Sequence, residues 1–236
     1  MNKSVIEELK KINDVKRLSN IEKAVENGAV IPLYDGVVIG DGVKLEKGVV
    51  VLTGTVLLGD THVDEDTVIG PNSLLYNMKV GKRNHLNSVQ GYESKIDDDC
   101  DIGPFVHIRP NSFVKSAVHL GNFVEVKNST VGEETSVSHL TYIGDSDVGR
   151  NVNFGCGCVT VNFDGKNKHR TTVGDHCFIG CNTNLVAPVK VGDWAYTAAG
   201  STITQDVPPD ALGIGRARQV NKEKWVEKKK PYRGME

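Results

Sequence analysis

Aliphatic residues recur at every sixth position along most of the chain. The series opens Ile39, Leu45, Val51, Leu57, Val63, Ile69, Leu75, and a small residue often follows four places later, as at Val43, Val49, Thr55, Thr61, Thr67 and Ser73. After slips it resumes at Val80 and Leu86, then runs Ile96, Ile102, Ile108, Val114, Leu120, Val126. Two five-residue steps lead through Val131, Val137 and Ile143 to Val148, Phe154 and Thr160. Beyond a break at 162–171 it continues as Val173, Ile179, Leu185, Val191, Thr197, Ile203. A period of six fits neither one amphipathic helix nor a simple alternating strand. It is the hexapeptide signature of a parallel β-helix, which makes the chain all-β. Three hexads form a coil of about 18 residues. Coils stack about 4.8 Å apart, so roughly nine of them predict a prism on the order of 43 Å long. Each inward aliphatic contributes about 1.5–3 kcal/mol, largely offset by the entropy of ordering the backbone, so interior columns are structural.

The register carries more. With the hexads numbered first, second and third from Ile96, the second hexads begin at Ile102, Leu120, Val137, Phe154, Ile179 and Thr197. Two places after the last four lie His139, Cys156, Cys181 and Ala199, which should form one column parallel to the prism axis, headed by histidine. One place after the third hexads Ile108 and Val126 lie Arg109 and Lys127. They should stack in successive coils, and like charges at that spacing repel, which suggests an anion nearby.

Both ends depart from the period. Residues 1–30 read as a helical linker or docking segment. Ser4 with Glu7 and Ser19 with Glu22 match capping boxes, Ile6 with Leu9 and Ile21 with Ala24 and Val25 offer apolar stripes, and Gly28 is a stop signal. Residues 31–207 form the β-helix. In 208–236, Pro208-Pro209 forces an extended segment, and a basic tail follows around Trp225 and Lys228-Lys229-Lys230. The break at 162–171, with a Gly turn and several cations, predicts a loop thrown out from one corner.

Composition narrows the function. A formal charge of −2 over 236 residues argues against nucleic-acid binding. No apolar run approaches a membrane span and the start lacks a signal-peptide core, so no membrane association is expected. Five cysteines, an odd number, fit free thiols in a reducing cytoplasm.

Candidate chemistry sits inside the repeat. A neutral histidine, here His139, can take a proton from an amine as it attacks a thioester. A line of small residues below it offers a groove for an elongated ligand. Asn153 and Asn162 can donate to a carbonyl or oxyanion, or cap turns. Arg109 and Lys127 suit a phosphate. Cys156 and Cys181 are adjacent in the column, where a disulfide is geometrically possible and free small hydrophobes fit better. A metal shared across a trimer would draw on His107, His119 and His139, but His107 precedes a third hexad and His119 a second, so those two fall at different corners and no metal is expected.

Five stretches, in order, carry a family resemblance: Gly103-Pro104-Phe105 with Ile108-Arg109-Pro110; 121–127 (GNFVEVK); 139–145 (HLTYIGD); 162–168 (NFDGKNK); and 185–189 (LVAPV). From about Ile12 to Trp225 the chain resembles the C-terminal half of the bacterial bifunctional GlmU family, glucosamine-1-phosphate N-acetyltransferase joined to N-acetylglucosamine-1-phosphate uridyltransferase. The resemblance implies a left-handed β-helix, a homotrimer with sites between subunits, glucosamine 1-phosphate as acceptor and acetyl-CoA as donor, feeding UDP-N-acetylglucosamine supply. It implies His139 as general base; Arg109, Lys127, Tyr142 and Asn153 as sugar-phosphate ligands; Lys168 as an arm residue reaching a neighbour; and Cys156, Asn162, Phe163, Cys181, Ala199 and Arg216 at acetyl-CoA positions. Three departures stand out. The sequence lacks a matching nucleotidyltransferase domain, so uridyltransferase activity is not expected of it alone. Phe163 replaces the family's tyrosine. Cys156 and Cys181 replace small residues, usually alanine and serine. A different amino-sugar acceptor, or a non-catalytic trimeric subunit pairing with a separate nucleotidyltransferase, are the alternatives.

Overall fold

The computed structural model describes residues 3–229. Very short parallel strands build a β-solenoid of about 10 turns. The first face has nine strands, from Lys44–Leu45 to Val189–Val191; the second has ten, from Val50–Val51 to Leu212–Gly213; the third has ten, from Val38–Ile39 to Thr202–Ile203. Register follows the six-residue series. Ile96, Val114, Val131 and Val148 are partners on the first face. Ile102, Leu120, Val137, Phe154, Ile179 and Thr197 are partners on the second. Ile108, Val126 and Ile143 are partners on the third. These inward side chains form one continuous buried core.

The slip before Ile96 has a packing cause. Gly91 occupies the inward third-face position between Leu75 and Ile108. A Cβ there would come within 3.1 Å of Met78 Cε, so the buried, flexible Met78 thioether fills the space an aliphatic would take.

Corners turn through single residues at positive φ. Between the second and third faces these include Phe105, Phe123 and Leu140, at φ 61°, 59° and 46°. Left-handed backbone costs a bulky residue about 1–2 kcal/mol, an expense the ladders on either side override. Buried hydroxyls tie the corner backbone inside: the Thr67 hydroxyl donates to Gly81 O at 2.8 Å and accepts from Asn84 N at 3.0 Å. Cys100, Cys158 and Cys177 are buried at the corner positions four places past the inward Ile96, Phe154 and Val173, and their thiols donate to Lys115, Gly180 and Gly192 carbonyls at 3.0, 3.1 and 3.0 Å. Burial pushes the Cys100 and Cys158 thiols up to about 11.

Helix α1 spans Lys3–Leu9 and helix α2 Asp14–Glu26. The expected Ser19 cap is not used. Asn13 caps α2, accepting from Lys16 N at 2.9 Å, and Ser19 lies inside the helix. In α1 the buried residue is Val5, packed with Leu58 and Tyr92, while Ile6 of the expected stripe faces out. Ile21 and Ala24 of α2 join the core with Ala29 and Ile31, and Val25 stays exposed. The helix therefore covers the apolar end of the first coil, and Gly28 at φ 98° turns the chain into it. At the other end, Val207 bridges to Val191 and Leu212–Gly213 adds a last second-face strand. Helix α3, Trp225–Lys229, follows, and Lys230 of the basic run lies outside the described residues. No helix among the described residues is long and apolar enough to cross a membrane.

Candidate functional site

Two lines of side chains run along opposite edges of the third face. The first follows the corner between the second and third faces. His139 pairs in register with Asn122, and the Gly157, Asn182 and Gly200 amides donate in turn to the carbonyls of His139, Cys156 and Cys181, at 3.4, 2.8 and 2.7 Å. His139, Cys156, Cys181 and Ala199 thus occupy one position in successive coils, the column the register predicts. The three coil steps span about 14 Å.

Bulk changes abruptly along this edge. Above His139 project Phe105, Phe123 and Leu140, all more than half exposed, the two rings stacked at 5.3 Å. Below it the turn residues become Gly157, Asn182 and Gly200, so no large apolar side chain projects there, and the Asn182 amide lies over Gly157. Cys181 packs against Gly155, whose Cβ would fall 2.8 Å from the sulfur. Cys156 and Cys181 are both free thiols. The Arg216 side chain passes over Gly200, 3.7 Å from where a Cβ would stand, and sets a cation at the end of the line beside Ala199. Asn153 lies apart on the second face, exposed, between Ser136 and Phe178.

The second line follows the corner between the third and first faces. Arg109 and Lys127 stack as expected, but neither charge is left bare. Arg109 donates to Glu125 at 2.8 Å, and the Lys127 ammonium donates to both oxygens of Asp145 at 2.8 and 3.0 Å. Asp145 is 4% exposed and turns the corner at φ 49°. It also accepts from Asn128 at 2.5 Å and from the Asn162 amide. Burial raises its pKa, but donors from Asn128, Lys127 and Asn162 outweigh that and hold the carboxyl below the ordinary value. Burial likewise opposes the Lys127 charge, and Asp145 overcomes it, raising the ammonium pKa.

Tyr142 lies flat along the third face. All three atoms nearest to a Cβ built on Gly144 belong to Tyr142, ring Cε1 at 2.6 Å and the hydroxyl closer still. Only glycine leaves room for the ring, whose hydroxyl accepts from Asn162 at 3.3 Å. Asn162 was expected to donate to a thioester oxyanion. Its amide is instead turned to Asp145 and Tyr142, and its side chain is buried.

The break in the repeat is an ordered arm, 163–170, folded by local chemistry. Phe163 and Lys168 form an antiparallel bridge. Asp164 accepts from the backbone of Lys166 and Asn167 at 2.7 and 2.6 Å and from His169 at 2.8 Å. The Asn167 amide, then His169, hold its pKa down at about 2. Arg170 pairs with Asp147 and donates to Asn128 O at 3.1 Å, pinning the arm's base. Lys168 comes back against Lys127 of its own chain, and that ammonium pulls the Lys168 pKa down. The result is a cleft of about 580 Å³ with Arg109, Lys127, Lys168 and Arg170 set against Asp145. Arg109, Lys127 and Arg170 are each paired with a carboxylate, Glu125, Asp145 and Asp147, so the four cations leave a net positive cleft that suits an anion.

Sequence reasoning missed Asp145, Glu125 and Gly144. Glu125 lies one position before an inward valine and one coil from Arg109, so its pairing follows from the register. Asp145 looks like any other corner residue until the arm covers it.

Residues 170–205 match the family model for the bacterial transferase hexapeptide (six repeats). A protein named bifunctional protein GlmU from Geobacillus sp. (strain WCH70) is 56% identical over 166 residues, 70% of this chain and 36% of that protein. GlmU from Listeria welshimeri is 51% identical over 166 residues, 70% of this chain and 36% of that protein. GlmU from Clostridium acetobutylicum is 48% identical over 208 residues, 88% of this chain and 46% of that protein. The chain spans less than half the length of these curated relatives. With the hexapeptide solenoid in its fold, the repeat model in its sequence and this identity to one part of GlmU, the chain is a hexapeptide-repeat β-solenoid homologous to that part of GlmU.

Proposed function

We propose that the chain transfers an acetyl group from acetyl-CoA to the amine of glucosamine 1-phosphate. The observation that carries this reading is the track from His139 to Ala199, about 14 Å long and ended by Arg216. An extended pantetheine chain fits such a track, with its thioester at His139 and a coenzyme phosphate near Arg216. In this reading the His139 imidazole takes a proton from the sugar nitrogen as that nitrogen attacks the thioester carbon. The tetrahedral intermediate then collapses, the C–S bond breaks, and the leaving thiolate takes the proton from the imidazolium. Arg109, Lys127 and Lys168 hold the phosphate. Tyr142 and Asn153 contact the sugar, and Phe163 flanks the coenzyme.

The same reading has the site completed by a second copy of the chain, in a homotrimer. Asn153 projects from the second face, whereas Tyr142 and Lys127 project from the third. A third-face strand of about three residues, roughly 10 Å, separates His139 from the Lys127–Asp145 corner. The amine and phosphate of glucosamine 1-phosphate sit on neighbouring ring carbons, much closer than that. Apposing the second face of one copy to the third face of the next would bring both sets to one ligand. Free thiols along the coenzyme track fit a reducing, cytoplasmic setting.

The test is thiol release from acetyl-CoA with a panel of glucosamine 1-phosphate, galactosamine 1-phosphate and glucosamine. The reading expects glucosamine 1-phosphate to give the highest kcat/KM by at least about tenfold over unphosphorylated glucosamine, the worth of one charge-assisted contact. Equal turnover of the phosphorylated and free sugars would refute the role of the cationic cleft. A preference for galactosamine 1-phosphate would keep the chemistry and change the acceptor.

A further inference from the structure

The mechanism above leaves a buried carboxylate unused, Asp145. We propose that Asp145 is a positioning residue that aims the Lys127 ammonium at the acceptor's anionic group. This deepens the reading of the cationic cleft and rests on it.

Four observations converge. Lys127 is bonded to both Asp145 oxygens, at 2.8 and 3.0 Å, which fixes the end of an otherwise flexible four-carbon side chain. The carboxylate is itself immobilised by Asn128 and Asn162 from two further segments. Asn162 is the last residue before the arm, and its amide also reaches the Tyr142 hydroxyl, so Asp145 ties together two proposed site residues, Lys127 and Tyr142. Asn128 carries the link onward, because its carbonyl accepts from Arg170 at the arm's other end. Lys127 thus remains 16% exposed on the cleft, with its like-charged neighbour Lys168 tolerated beside it. Without the carboxylate, Lys127 and Lys168 would repel and the Lys127 ammonium would swing away from the cleft wall.

Asp145→Asn keeps the shape, and asparagine tolerates the left-handed corner at φ 49° as readily as aspartate. The expected result is an acceptor KM raised at least about tenfold, with the KM for acetyl-CoA unchanged within about twofold. A residue that acts through Lys127 has little left to do once Lys127 is gone. In a Lys127→Met background, Asp145→Asn should therefore change the acceptor KM by less than about twofold. A structural role would raise both KM values together, or add its full effect in both backgrounds, and either result overturns the proposal.

A second readout does not depend on the acceptor. Brief treatment with acetic anhydride near pH 8, followed by peptide mass spectrometry, reports how much free amine each lysine presents. Lys127 should be acetylated several-fold faster in Asp145→Asn than in the wild-type chain, with exposed Lys79 as an internal standard. Unchanged Lys127 labelling overturns the positioning role. Faster Lys127 labelling in a protein that shows no turnover of glucosamine 1-phosphate would support the positioning role and refute the acceptor assignment alone.

Discussion

Replacing Gly144 by alanine isolates the seat of Tyr142. The Gly144 backbone lies outside the left-handed region, so alanine is allowed there on conformational grounds. The obstacle is the Tyr142 ring, with Cε1 2.6 Å from the new methyl. Carbon atoms rest at about 3.5–4.0 Å, so the ring must retreat by about 1 Å or more. Overpacking of this kind costs about 1–3 kcal/mol, which in a chain of this size lowers Tm by about 2–12 °C. Displacement also breaks the 3.3 Å bond from Asn162 to the hydroxyl, so acceptor KM should rise while acetyl-CoA KM holds. Differential scanning fluorimetry and steady-state kinetics on Gly144→Ala, Tyr142→Ala and the double variant decide the matter. In the Tyr142→Ala background the clash is gone. Gly144→Ala should then be neutral or stabilise by about 0.4–1 kcal/mol through the unfolded chain. If Gly144→Ala destabilises equally with and without the tyrosine ring, the packing argument is refuted.

Further predictions address other parts of the account. Mixing His139→Ala and Lys127→Met chains one to one, with denaturation and refolding, should restore about a quarter of wild-type turnover if each site draws those residues from two copies; no recovery would place both in one chain. Asp145 has a lowered pKa, so its contribution is present above 3.8 and lost as pH falls through the lower folded value; Lys127 is raised, so its contribution is full below 10.5 and lost at higher pH. The urea-midpoint gap between wild type and Asp145→Asn/Lys127→Met should therefore stay flat from about pH 5 to 9 and shrink below about pH 4; a gap that persists at pH 2 would contradict the ion pair. Iodoacetamide at pH 8 should alkylate exposed Cys181 first and Cys156 next, sparing Cys100 and Cys158 until unfolding, as mass spectrometry of timed samples would show. Asp164→Ala should loosen the arm, read as faster tryptic cleavage at Lys166 and Lys168 with an unchanged Tm; cleavage at the wild-type rate would remove Asp164 from the arm's support.

The repeat was legible because each inward position is decided by burial alone. Ile96 to Ile203 could be assigned to faces from spacing, and the column from His139 to Ala199 followed by counting. Gly91 was not legible, since its space is filled by Met78 from another segment. Asn13 and Ser19 offer equal local chemistry, and the helix starts at the earlier one, where its first turn is held by Arg17 donating to the Tyr34 and Val37 carbonyls. Asp145 shares its corner with Asn77, Glu93, Asn111 and Asn128, all at positive φ, and nothing local distinguishes it. Its burial comes from Asn162 and the arm in the next coil. The charges of Arg109 and Lys127 were legible; the Glu125 partner of Arg109 follows from the register but the Asp145 partner of Lys127 does not, which is why mutual repulsion looked stronger in the sequence than it is in the fold.

The most direct test of the central claim is single-turnover acetyl transfer to glucosamine 1-phosphate by wild type and His139→Ala at matched folding, followed by thiol release. The account predicts rapid transfer by wild type and a loss of about 10²–10⁴-fold in His139→Ala, the worth of a general base. Transfer at the wild-type rate by His139→Ala would contradict it.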